Sequence, residues 1–278
     1  MKRGEDRLAI WRGLVYAGYG GVVLLYAAGA FAFICQSRAG IALINLATLA
    51  YFLGARRLDK HYSGLFVRES LKSAYGRRMD GTQILKGRPE IHGPGLGGLI
   101  PAKSKGGLAW GVGLCGLKRG NAVNICDVLA CFDRTKEQAA GHKVGLADGI
   151  WFQACKSRAE GKTLLILSRS LAKKGISADF YESQGLCSQS ELLGAWGGEY
   201  LLFAEPGCTK EEVQHFLRRF EAVLKKEKTG GLAVRQDKEG ISAFLSGCSL
   251  DFSAPLKAAR PQRAAAAGGP VKRLLECV

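Results

Sequence analysis

The apolar positions of the chain fall into two regimes. Up to residue 55 they run almost unbroken, and afterwards they recur in short periodic groups. Residues 14–34 (LVYAGYGGVVLLYAAGAFAFI) lie in a stretch without charge between Arg12 and Arg38. As a helix this run is about 31 Å long, enough for a bilayer core of about 30 Å. It is apolar on every face, which suits lipid rather than a half-buried surface. A second uncharged run, residues 39–55, reaches about 26 Å, and Arg38 and Arg56 can extend it by snorkelling outward. The two runs predict a transmembrane helical hairpin over 1–57. Tyr51 and Phe52 are candidate interfacial anchors. Asn45 is the candidate for a hydrogen bond between the helices, and Ala17-xxx-Gly21 has the small-xxx-small spacing of a close contact. A signal peptide would share the charged start and apolar centre. The length of the first run and the second run close behind it favour the hairpin.

Beyond residue 57 the periods change. Residues 58–78 place Leu65, Phe66, Leu71 and Tyr75 on one helical face with basic residues elsewhere, predicting a helix that leaves the membrane. Residues 82–107, with Pro89, Pro94, Pro101 and many glycines, read as a connector. Short apolar or alternating runs predict strands over 108–114, 122–132, 150–155, 163–168, 178–182 and 199–204, with a helical turn at 169–174. Thr209-Lys-Glu-Glu212 is a capping box, and Val213, Phe216, Leu217, Phe220, Val223 and Leu224 follow at helical spacing. A hairpin over 232–236 and 240–245 closes the domain. Residues 255–278, rich in Ala, Gly, Pro and Arg, read as a disordered basic tail. The expected architecture is a two-helix transmembrane hairpin (1–57), a basic juxtamembrane helix and connector (58–107), a soluble α+β domain (108–254) and the tail. The domain is expected to be an antiparallel sheet with a packed amphipathic helix.

Charge sharpens this picture. The net charge is +16, and it is distributed as +5 over 1–58, +7 over 59–120, zero over 121–255 and +4 over 256–278. The folded core is therefore neutral, and the excess lies beside the membrane and in the tail, where anionic inner-leaflet lipid attracts each basic residue by about 1 kcal/mol. Arg12, Arg56, Arg57 and Lys60 flank one end of the hairpin and only Arg38 lies at the other. The positive-inside rule then puts both termini in the cytoplasm, for a chain crossing the cytoplasmic (inner) membrane more than once. The nine cysteines are odd in number and form no CxxC pair, which reads as reduced, buried thiols.

The order of features resembles the bacterial family called domain of unknown function 3137. The stretches that carry the resemblance are NAVNICDVLACF (121–132), GIWF (149–152) followed by GKTLLI (161–166), EYLLF (199–203) with its helix through Leu224, and the pair 232–236 and 241–245. The connector over 91–107 departs from the family's pattern. The resemblance implies an uncharacterised membrane-associated protein and supplies no catalytic residues.

Chemical motifs are sparse. The glycine clusters at 93–98 and 106–107 contain no GK[ST], and Gly161-Lys162-Thr163 lacks the leading glycine and following helix of a phosphate loop. His61, His92, His142 and His215 form no metal-ligand pattern. Ser168 and Ser170 lack a GxSxG setting. Trp151 and Phe152 offer a platform or, more simply, core packing. No catalytic, cofactor or metal residue is expected. The leading expectation is a binding or scaffold module at the inner membrane face, with the lipid bilayer, its anionic inner leaflet and an unidentified protein as partners. The alternative is a tethered enzyme whose site draws on Asp127, His142 and Cys155. Nucleic-acid binding through connector and tail ranks last, because the core is neutral.

Overall fold

The computed structural model describes residues 2–76, 78–90, 95–101, 108–133, 144–155, 161–174, 176, 178–225, 231–248, 250 and 269–278. The chain divides into two compact units, residues 1–74 with 252–266 and residues 75–251 with 267–278.

The first unit is a helix pair. Helix α1 (Lys2–Ile34) turns at Gln36 into α2 (Ala39–Ala50), which passes through a π-helical turn, Tyr51–Ala55, directly into α3 (Arg56–Tyr75). The basic helix expected after the membrane is thus continuous with the second apolar run. On α1 the buried residues are Leu8, Val15, Val22 and Gly29, at seven-residue intervals, with Trp11, Gly18, Leu25 and Ala32 half-buried between them. That is the period of a coiled-coil seam. On the partner the buried positions are Gly40, Ala47, Ala55 and Tyr62. Their one longer interval spans the π-turn, which absorbs the extra residue and returns Ala55 and Tyr62 to the seam.

The second unit is an open sheet of nine strands in the order β1-β2-β3-β4-β9-β8-β5-β7-β6, with every pairing antiparallel. The strands are β1 (Asp80–Lys86), β2 (Leu108–Lys118), β3 (Asn121–Asp133), β4 (Val144–Cys155), β5 (Leu164–Ser168), β6 (Cys187–Ser188), β7 (Tyr200–Ala204), β8 (Leu232–Asp237) and β9 (Gly240–Ser246). Positive φ at both Arg119 and Gly120 makes the two-residue turn between β2 and β3, matching the twist of the strands it joins.

Helix α6 (Lys210–Leu224) has its capping box. The Thr209 hydroxyl accepts from the Glu212 N–H, and the Glu212 carboxylate accepts from the Thr209 N–H. All six residues of its apolar stripe are buried, worth on the order of 10 kcal/mol gross. Tyr200 donates to the Leu224 carbonyl and Arg219 to Gln236, so α6 lies over the sheet face that also carries Ile166, Leu202 and Val234. The opposite face, with Cys126, Val128, Trp151, Leu165, Phe203 and Phe244, packs beneath Leu96, Leu99, Ile100, Leu171 and Tyr181.

Three expectations are corrected. Residues 80–86, assigned in part to the connector, form edge strand β1, whose Ile84 pairs opposite Leu114. Residues 178–182 form a one-turn helix, α5 (Ala178–Glu182), after the turn α4 (Arg169–Ala172). The adjacent aromatics suit a strand, but Tyr181 is fully buried and donates to the Leu99 carbonyl, and that contact sets the local geometry. The end of the tail is a helix, α7 (Gly269–Glu276), with Val271, Leu274 and Leu275 buried on α6; the tail's earlier residues, 255–268, lie outside the described residues.

Candidate functional site

Two surfaces are chemically distinctive, the outside of the helix pair and the broad face of the sheet. On the helix pair, the large side chains between Leu14 and Leu53 that lie away from the seam are mostly exposed and apolar. Among the described residues, the large exposed hydrophobic side chains outside it are Val112, Leu117 and Leu129 alone; the others include Leu24 at 71%, Phe31 at 70% and Ile34 at 78% exposure. Two helical stretches, Asp6–Ile34 and Ala39–Tyr75, are long and apolar enough to cross a membrane.

The helices approach closely at glycines. A Cβ on Gly40 would lie 2.7 Å from the Phe33 backbone nitrogen, and one on Gly29 would lie 2.9 Å from Ile44. Gly21, half of the expected small-xxx-small pair, faces open space instead. In the apolar part of the pair a hydrogen bond joins Tyr26 and Thr48 at 2.8 Å, while Asn45 is exposed. Thr48 sits one residue past Ala47 on the seam, and Asn45 points away from it.

One end of the pair collects charge and aromatic rings. Gly18 packs on Ala55 and Leu58, and Trp11 stacks on His61 at 4.3 Å, so Arg12 shares an end with Arg56, Arg57 and Lys60. The Arg12 guanidinium lies 5.6 Å from the Tyr16 ring, and that of Arg56 lies 5.9 Å from the Phe52 ring. Tyr19 donates to Asp59 at 3.2 Å. Arg38 stands alone at the opposite turn, exposed at the start of α2. The basic residues singled out from sequence thus form one cluster of four and one outlier.

On the sheet, strand register lines up four buried polar side chains. Asn124, Gln153, Ser242 and Arg235 are consecutive partners across β3, β4, β9 and β8, with exposures of 7%, 4%, 8% and 9%. They lie beneath the connector. Asn124 donates to the Glu90 carbonyl at 2.8 Å, and Arg235 donates to the Gly98 carbonyl at 3.4 Å and to Gln184 at 2.6 Å. Asp237 accepts from Arg235 at 3.1 Å, so the buried cation is paired. No single position in the sequence announces this row; only the register assembles it.

An open cleft of about 290 Å³ lies over β2, β3 and β4, lined by Trp110, Asp127, Leu129, Asp148, Gly149 and Cys248 among others. Asp127 is a structural carboxylate there, accepting from the Leu250 N–H and so holding the chain that follows β9. Burial, and secondarily Asp127, raises the Tyr75 phenol above its ordinary range.

The trio Asp127, His142 and Cys155 is not brought together. Asp127 pairs with Ile150, five residues from Cys155 along β4 and on the other face, a separation of about 16 Å; His142 lies outside the described residues. The Cys155 thiol is pushed up, first by burial. Trp151 and Phe152 are fully buried on opposite faces and are core residues. The Gly161-Lys162-Thr163 triplet serves the turn into α6. Lys162 donates to the Gly207 carbonyl and lies 3.8 Å from Glu212, while Thr163 donates to Glu205 at 2.6 Å. Ser168 is the N-cap of α4 and also accepts from the Leu232 N–H. Lys174 donates to Ser246 at 2.7 Å, but Ser246 has no exposed surface for a substrate to reach. Among the described residues no group of three His, Cys, Asp or Glu side chains could hold a metal ion.

Comparison with protein-family models, with curated proteins and with solved structures finds no match to this chain.

Proposed function

We propose that this is a membrane-anchored protein whose helix pair crosses the bacterial cytoplasmic membrane twice and holds a non-enzymatic binding or scaffold domain at its inner face. The observation that carries the reading is the apolar ring around the seam. Its exposed side chains would cost on the order of 15 kcal/mol if left in water, and none in lipid. A core helix of a water-soluble protein would bury this surface, and a cleaved signal sequence would have no need of a glycine-matched partner helix.

Orientation follows from the cluster of Arg12, Arg56, Arg57 and Lys60, set beside aromatic rings suited to a headgroup layer, against the single Arg38. This end faces the cytoplasm, where each basic residue gains about 1 kcal/mol from anionic lipid. The family resemblance over the sheet domain points the same way, toward a membrane-associated role. The binding function is assigned to the sheet domain, where Asn124 and Arg235 of the polar row hold the backbone laid over them.

The native thiol Cys35, exposed at the turn between the helices, supplies the test. In intact cells a membrane-impermeant maleimide is expected to label Cys35, and to label exposed Cys187 only after permeabilisation, with the chain resisting alkaline carbonate extraction. Labelling of Cys187 in intact cells would reverse the orientation. Release by carbonate would end the anchored reading altogether.

A further inference from the structure

Helix α7 has an unusual standing in the fold. Its apolar residues, Val271, Leu274 and Leu275, follow an i, i+3, i+4 pattern and have no exposed surface. Arg219 of α6 donates to the Cys277 carbonyl at 2.8 Å, and the Cys277 thiol donates back to the Arg219 carbonyl at 3.1 Å. Glu276 pairs with Arg78 at 2.8 Å on the surface. The receiving side is built without the tail, because Arg219 is also held by Gln236 at 3.1 Å and stacks on Phe220.

At eight residues, α7 is far below the roughly 12–15 needed for a helix to persist alone in water. It is helical because of what it lies on, and in that sense it is a ligand joined to its own receptor. Its composition fits a second receptor equally well. Lys272 and Arg273 lie off the apolar stripe, and residues 256–278 carry a net charge of +4. Short basic amphipathic segments of this kind bind anionic bilayer surfaces through their apolar face and their charge together. The chain from Leu250 to Gly269 can span up to about 60 Å.

We propose that the C-terminal segment is a strap with two positions, docked on α6 as in this structure or displaced onto an anionic lipid surface, where it uncovers the flank of α6. The same three apolar side chains serve both positions, so the two exclude each other. The proposal rests on the anchored reading above, which keeps a bilayer within reach.

The test uses the full chain reconstituted into vesicles of phosphatidylcholine alone or of phosphatidylcholine with phosphatidylglycerol. The readout is the alkylation rate of Cys277, followed on its own peptide by mass spectrometry. Docked, this thiol is half-buried and pushed up to about 11, chiefly by burial, so it reacts slowly. A shift from about a tenth undocked to about half raises the rate about fivefold on anionic vesicles. Added salt should reverse the rise. The variant Leu274→Ser with Leu275→Ser should react fast on both vesicles. Equal slow rates on both vesicles overturn the strap. A rate that follows the protein-to-lipid ratio but ignores lipid charge overturns it too, in favour of tail exchange between copies. If the chain is retained by carbonate extraction while Cys277 ignores lipid charge, only the strap fails; if the chain is extracted, the anchored reading fails as well.

Discussion

Deleting Leu53, inside the π-turn, should leave the helix pair intact, whereas deleting Leu46, in plain α-helix, should damage it. Removing one residue from an α-helix rotates everything beyond it by about 100° and shifts it by about 1.5 Å. Without Leu46 the π-turn can relax only by setting Thr48 in place of fully buried Ala47, which breaks the Tyr26–Thr48 hydrogen bond; if the turn is kept, either Ala55 and Tyr62 leave the seam or Gly40 does. If Gly40 leaves, a neighbouring residue must bring a Cβ to where the Phe33 backbone nitrogen would lie only 2.7 Å away. Losing the burial of Tyr62 and Phe66 would cost about 1.5–3 kcal/mol for each side chain, and forcing a Cβ into the glycine contact about 1–3 kcal/mol. Deletion of Leu53 carries neither cost. It converts the π-turn to α-helix, restores even seven-residue spacing through Gly40, Ala47, Ala55 and Tyr62, and removes a side chain that is 54% exposed. Thermal unfolding of both variants in detergent micelles, followed by helical circular dichroism, compares them directly. If the Leu53 deletion lowers the melting temperature as much as the Leu46 deletion does, the π-turn is not compensating for a phase shift and the seam has been wrongly drawn.

Other outcomes follow from individual contacts. Gly40→Val should separate the helices and abolish a disulfide engineered between positions 26 and 48, since the new Cβ meets backbone that cannot swing aside; cross-linking at the unmodified level would contradict this. Thr209→Ala removes the cap of α6 and should cost about 1 kcal/mol, or roughly 2–4 °C, in calorimetry of the sheet domain's transition. Phe220→Ala should cost about 3–5 kcal/mol, and a loss below about 1 would mean that α6 is not seated as described. Glu205 has its carboxyl lowered mainly by the Thr163 hydroxyl, so its contribution is present above the ordinary glutamate range and is lost as pH falls through the lowered folded value. Thr163→Val should therefore flatten the loss of stability on acidification, and an unchanged pH profile would remove Glu205 from the account.

The helix pair was legible because a stretch without charge needs no contrast to be seen, and α6 because its cap and stripe mark a boundary between core and water. The seam inside the pair was not legible, for a related reason. A helix apolar on all sides has no polar face against which a buried stripe stands out, so neither the glycine contacts at Gly29 and Gly40 nor the π-turn could be separated from the surrounding Leu and Ala. Strand β1 hid between Gly81 and Gly87. Helix α7 hid in a tail whose Ala, Pro and Arg outweigh the few large apolar residues.

The polar row of Asn124, Gln153, Ser242 and Arg235 explains the connector, whose composition alone is that of a loop. A glycine-rich strand of backbone laid over an apolar sheet would bury carbonyls without donors. Asn124, Arg235 and Tyr181 supply donors to the carbonyls of Glu90, Gly98 and Leu99, while Leu96, Leu99 and Ile100 fill the core between them. The glycines and the polar residues inside strands are two halves of one device. Each looks like a local irregularity until the antiparallel register sets four strands side by side. The same register sets Asp127 and Cys155 on opposite faces of the sheet, so the arrangement that explains the connector also keeps those two side chains apart.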